Sequence, residues 1–268
     1  MNRTYMQNHI RPKMTALTLL ALVALTACGT QVPQSHPELE KQATAQTAHL
    51  TWANSLLSKT TSSNTSYVGG TPNVTWEDPN VADSITQSHT DCSGLFGELL
   101  KKAYNISDLK SWFGKSRPSA AEVFNTIDAE TNFDKIDTVT SIQAGDVIAM
   151  KYLDPNPPAT GHVMVVASAP TLFQNADGSQ PEPQPSGLNN YEQYLVKVID
   201  SSSNFHGTDD TRYSATTKTA YKGTGSGFFR LYVDKTKKTI LGYTWSNSKY
   251  SDFYGPDVRP LLVGRVML

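Results

Sequence analysis

Two side chains in this sequence could together break an acyl bond, Cys92 and His162. A thiolate is a strong nucleophile, and imidazole is the side chain that exchanges a proton near neutral pH. The imidazole needs a third group on its far nitrogen to fix its tautomer and orientation. Cys92 follows Asp91 and precedes Ser93-Gly94 in residues 90–104, TDCSGLFGELLKKAY. Leu95, Phe96, Leu99, Leu100, Ala103 and Tyr104 share one face of a helix, and Thr90 or Asp91 suits its N-cap. A thiol in the first turn stands at the positive end of the helix dipole, which favours the thiolate. The N–H groups there can face an oxyanion. A cysteine under a helix can equally be a small packing residue.

His162 comes 70 residues later, at the head of Gly161-His162-Val163-Met164-Val165-Val166. A turn at Ala144-Gly145-Asp146, a strand over 147–152 and a proline-rich loop over 154–158 precede it. Of the six histidines, His9 is in an apolar leader, His36 in a tether, His49 on a first helix, His89 just before the cysteine and His206 in a Gly/Asp-rich loop. Only His162 opens an apolar strand, where a satisfied structural histidine is the alternative.

Asp91-Cys92-Ser93-Gly94 on an amphipathic helix, followed by a Gly-Asp turn and a Gly-His-Val strand, resembles the NlpC-type family of papain-like cysteine hydrolases. The resemblance covers residues 67–200 and implies an α+β papain-like fold, with the nucleophile helix packed on an antiparallel sheet or half-barrel. It implies hydrolysis of an amide bond in peptidoglycan stem peptides, or of the amide joining them to sugar, through a thioester. Cys92 would be the nucleophile and His162 the base, with Ser93 at the oxyanion site. The strand over 194–200 would supply the orienting group, which makes it Asp200, with Asn204 and His206 in reserve; Asp200 could instead cap the following turn. Tyr67, in Tyr67-Val68-Gly69-Gly70, resembles the family's tyrosine beside the nucleophile, although a loop tyrosine needs no such role.

The start of the chain reads as a targeting segment over residues 1–27, with Arg3, Arg11 and Lys13 before an apolar run. Leu25-Thr26-Ala27-Cys28 resembles a bacterial lipobox, which implies acylation of Cys28, a tether over 28–37 and one domain over 38–268. The expected location is the cell envelope, on the outer membrane facing the periplasm in a two-membrane cell. Of the two cysteines, Cys92 then has no partner for a disulfide. Loss of the leader removes three of 23 basic residues and none of 24 acidic ones, leaving a formal charge of about −4, in which nothing favours nucleic acid as a partner. No Cys-x-x-Cys, His-Glu-x-x-His or glycine-rich phosphate loop calls for a metal or cofactor.

Further helices are expected over 38–59 and 119–128, the latter with Ser119 and Glu122 as a capping box. Residues 169–192, rich in Pro, Gly, Asn and Gln, read as a surface insertion. Strands follow over 225–233, 239–243 and 261–266, and Trp245, Tyr250, Phe253 and Tyr254 form an aromatic cluster expected to pack rather than bind sugar. The insertion, the spacing of Tyr67 and the C-terminal extension depart from the family pattern, which keeps two alternatives open. One is a surface lipoprotein with the hydrolase fold and a binding or scaffolding role, the other an acyltransferase on the same residues.

Overall fold

The computed structural model describes residues 47–77, 80, 84–153 and 159–268. The leader, Cys28, the tether, the start of the first helix and the 154–158 loop lie outside them. Among the described residues four α-helices occur in chain order, α1 (Ala48–Lys59), α2 (Cys92–Tyr104), α3 (Lys110–Phe113) and α4 (Ala120–Asp128). The strands are β1 (Thr65–Ser66), β2 (Asn73–Thr75), β3 (Gln87–His89), β4 (Phe133–Lys135), β5 (Val147–Lys151), β6 (Gly161–Val166), β7 (Thr171–Phe173), β8 (Tyr191–Ser202), β9 (Tyr213–Ser214), β10 (Thr219–Ala220), β11 (Gly223–Asp234), β12 (Ile240–Thr244), β13 (Phe253–Tyr254) and β14 (Leu261–Val266). Among the described residues no helix is long and apolar enough to cross a membrane.

The main sheet runs β13-β12-β11-β8-β6-β5-β14-β4, with β7 on β8, and every neighbouring pair is antiparallel. The last strand, β14, inserts between β5 and β4. The sheet curls, because Thr138 just after β4 bridges to Thr239 just before β12. Strand alternation then creates two apolar surfaces. Ile148, Met150, Met164, Val166, Val198 and Phe229 fill one cluster. Val147, Ala149, Val163, Val165 and Ile199 fill the other, against Ala53 and Leu56 of α1, Leu95, Phe96, Leu99 and Leu100 of α2, and Val123 and Ile127 of α4. Each large apolar side chain buried there stabilises the fold by about 1.5–3 kcal/mol. The protein is thus mixed α and β on a mostly antiparallel sheet.

The helix starts follow the sequence signals. Asp91 caps α2 through Gly94 N–H at 2.8 Å, and Ser119 with Glu122 closes the capping box of α4. The insertion over 169–192 departs from a plain surface loop. Near its start β7 pairs with residues 193–195 of β8, its last residues 191–192 pair with β11, and its middle is fastened to buried side chains. Gln193 Nε2 donates to the Pro181 carbonyl, Arg230 Nη1 to that of Glu182 and the Tyr232 hydroxyl to that of Pro183, each at 2.7 Å. Arg230 is fully buried, and a guanidinium with five donors must find acceptors when water is excluded. The carbonyls of Glu182, Asn247 and Ser248 supply them to Nη1 and Nη2.

Candidate active site

The nucleophile's position is set by what precedes it. Thr90 N–H donates to the Ser66 carbonyl at 3.2 Å, tying the approach to α2 to a small sheet of order β1-β3-β2. Ser201 Oγ on β8 donates to the Thr90 carbonyl at 2.7 Å. Asp91 meets Gly94 with Oδ1 and Arg117 Nη2 with Oδ2 at 2.7 Å, while its carbonyl takes the Leu95 N–H at 2.9 Å. These bonds occupy the inner donors of the first turn and leave the N–H groups of Cys92 and Ser93 at its open end. Cys92 is a free cysteine, 6% exposed.

Sheet register brings His162 to Asp200. Val166 on β6 stands opposite Val198 on β8, and steps of two residues keep His162 and Asp200 on that same face. The two strands pair only at Val165–Ile199 and Val166–Val198, so a gap opens between them toward His162. Across it, His162 Nε2 lies 2.6 Å from Asp200 Oδ2. The other ring nitrogen, Nδ1, is the one left for the Cys92 sulfur. Burial opposes a charge on this imidazole, yet the Cys92 charge, the Asp200 hydrogen bond and a hydrogen bond with Cys92 outweigh it and push its pKa up to about 10. Those influences favour the protonated, imidazolium form of His162.

Asp200 has its own support. Burial resists its ionisation, but the charges of Arg212 and His206 and hydrogen bonds from His162 and His206 hold the carboxyl well below the usual range. His206 Nε2 lies 3.0 Å from the same Oδ2 that meets His162, and His206 Nδ1 lies 2.7 Å from the Trp245 carbonyl. Arg212 Nη2 lies 2.9 Å from Oδ1 as an ion pair whose angle falls short of a hydrogen bond. The Arg212 fork is fixed by Asp210, Nε to Oδ1 at 2.9 Å and Nη2 to Oδ2 at 2.7 Å. Thus His206 stands behind Asp200 rather than replacing it, and Asn204 lines the cleft. Arg212 and Asp210 were not among the residues singled out from sequence. A signal did exist in the Gly-Ser-Gly of β11, where a Cβ on Gly225 would run into Arg212 and one on Gly227 into His206 and Asp210.

The site opens into a cleft with two lobes that share Tyr67, Ala159 and Gly161. One lobe, of about 270 Å³, is walled by Cys92, Ser93, Asp91, Arg117 and Ser119. The other, of about 450 Å³, is walled by His162, Ser202, Asn204, Trp245, Tyr250 and Tyr254. Tyr67 and Ser93 therefore both flank the nucleophile. Burial, followed by the charges of Cys92 and Asp91, raises the pKa of the Tyr67 phenol and keeps it a proton donor. The aromatic cluster divides. Trp245 stacks on His206 at 4.5 Å and meets His162 edge-on at 4.8 Å, whereas the Tyr250 ring is 83% exposed at the cleft. Packing alone does not describe it.

No family model matches the chain, and no solved structure does. The chain is similar to the uncharacterized protein R653 of Acanthamoeba polyphaga mimivirus, at 37% identity over 195 residues. That similarity spans 71% of this chain and 83% of the relative. Identity of that order over most of both chains means that the protein belongs to the same family as mimivirus R653.

Proposed function

We propose that the chain is a cysteine hydrolase of papain-like, NlpC type that cuts an amide bond through a thioester. The Cys92 thiolate attacks the carbonyl carbon, and the oxyanion that forms is held by the N–H groups at the open end of α2, those of Cys92 and Ser93. His162 gives its proton to the leaving amine, and the thioester remains on Cys92. His162 then takes a proton from water, whose oxygen attacks the thioester and restores the thiolate. Asp200 keeps the imidazole oriented and stabilises its cation. The observation that carries this reading is one buried imidazole, bonded to Asp200 on Nε2 and hydrogen-bonded with Cys92, at the wall of an open cleft.

The substrate proposed is the peptide part of peptidoglycan. Its support is the resemblance of residues 91–94, 145–146 and 161–163 to NlpC-type hydrolases, together with a leader that reads as directing lipidation of Cys28. The lipid would hold the domain at the envelope, facing the periplasm where there are two membranes. Incubation of the purified protein with peptidoglycan, followed by chromatography of the soluble muropeptides, tests it. New fragments from the wild type and none from Cys92→Ala are expected; equal release by both would remove the proposal.

A further inference from the structure

Resting on the hydrolase reading, we infer that His206 and Arg212 are positioning residues that act through Asp200 to hold the Cys92–His162 pair in its reactive form. The geometry goes beyond what three residues require. Asp200, His206, Arg212 and Asp210 are all buried, at 1%, 0%, 1% and 3% exposure. An isolated carboxylate in such a place would take up a proton rather than remain charged. Here Oδ2 receives two imidazoles, at 2.6 Å from His162 and 3.0 Å from His206, and Oδ1 faces Arg212 at 2.9 Å. Both ring nitrogens of His206 face oxygen acceptors, Asp200 Oδ2 and the Trp245 carbonyl, so this ring is held at both ends. Arg212 is held likewise, by Asp210 twice and by the Gly223 carbonyl at 3.0 Å. Asp210 Oδ2 in turn accepts from the backbone N–H of His206 at 2.7 Å, which closes the ring of contacts.

A single carboxylate hydrogen-bonded to His162 could rotate about its own χ2 and trade its bond for another donor. With Arg212 on one oxygen and His206 on the other, the carboxylate plane is fixed and only His162 is left to answer it. The effect is transmitted outward, because the imidazole that Asp200 orients is the group that faces Cys92. The other titratable and charged groups around the pair include Tyr67 and Asp91 ahead of α2, Arg117 paired to Asp91, Tyr152 after β5, and Tyr250, Asp252, Tyr254 and Arg259 across the cleft. Tyr221 stands beside Arg212 and Asp210. His206 touches Asp200 Oδ2 with a ring nitrogen at 3.0 Å.

The test uses the full chain and no substrate. The rate of Cys92 alkylation by iodoacetamide is measured against pH for the wild type, Arg212→Gln and His206→Leu, with folding checked by circular dichroism. The acid limb of the profile is expected to move to higher pH by about one unit in each variant, about a tenfold slower reaction below the limb. Folded variants whose limb stays in place would overturn the inference and leave the cluster a packing feature. If either variant fails to fold, Asp210→Asn, which keeps the guanidinium and loosens its fork, decides by the same limb. A wild-type thiol that reacts only near the free-cysteine value of about 8.5 counts against the hydrolase reading itself. A low wild-type limb that the variants leave unmoved counts against the positioning role alone.

Discussion

Ser201 Oγ donates to the Thr90 carbonyl at 2.7 Å, and this bond ties the strand that carries Asp200 to the residue two before Cys92. Ser201 points to the helix side of β8 while Asp200 points to the other, so one strand fixes both ends of the site. Ser201→Ala removes one buried hydrogen bond, with an expected loss of about 1 kcal/mol in urea-unfolding stability. Hydrolysis is expected to fall further, on the order of tenfold in kcat, because small displacements of a nucleophile are costly. Proportionate losses in stability and rate would contradict a positioning role for that bond.

With the His162 pKa pushed up to about 10, its imidazolium persists through neutral pH, and on the proposed mechanism hydrolysis is expected to be lost only as pH rises through that value. Asp200→Asn removes one of the causes that raise it. The alkaline limb of kcat is therefore expected to move down toward the ordinary 6.5, with a rate loss on the order of 100-fold or more. A pH profile of the variant checks both, and an unmoved limb would separate Asp200 from His162.

His49 on α1 is a histidine of a different kind. It is fully buried, its Nε2–H donates to the Gly145 carbonyl at 2.7 Å, and its Nδ1 accepts from the Tyr104 hydroxyl. Burial, opposed in part by the Gly145 bond, lowers its pKa from 6.5 to about 4. A depressed histidine binds fewer protons folded than unfolded, so its contribution is present above pH 6.5 and is lost as pH falls toward 4. The expected loss across that window is on the order of 3 kcal/mol. Chemical denaturation of the wild type and His49→Gln at several pH values measures it; the variant's acid dependence should be flatter.

Gly161 has φ +154°, and a Cβ there would collide with the Met150 carbonyl oxygen on β5. Gly161→Ala is expected to cost roughly 1–3 kcal/mol through backbone strain. Because His162 is the next residue, activity should fall even below the unfolding transition. Thermal melts beside initial rates separate the two effects.

Much of this was readable from residue order. The 3.6-residue spacing of Leu95, Phe96, Leu99 and Leu100 marks a buried helix face, and Asp91 and Ser119 mark helix starts because their side chains are short acceptors. The apolar run from Val163 to Val166 marks a buried strand and so singles out His162. The charged support of Asp200 was hidden for a physical reason. Arg212 and Asp210 sit in a polar Gly/Asp-rich stretch, where charged side chains are usually solvated, and only tertiary contact with β11 buries them. Arg230 was hidden likewise, since its backbone acceptors are the Glu182 carbonyl 48 positions earlier and the Asn247 and Ser248 carbonyls 17 and 18 positions later. Backbone acceptors carry no residue signature, so the insertion read as free surface.

The meeting of Cys92 with His162 is tested most directly by the rate of Cys92 alkylation at pH 6, in the wild type and in His162→Ala. A thiolate held by an imidazolium reacts at pH 6 almost as fast as at pH 8 and slows about 100-fold in the variant, as an ordinary thiol of pKa about 8.5 would. Equal slow rates in both proteins, rising together only near pH 8.5, would contradict the pairing and with it the enzyme.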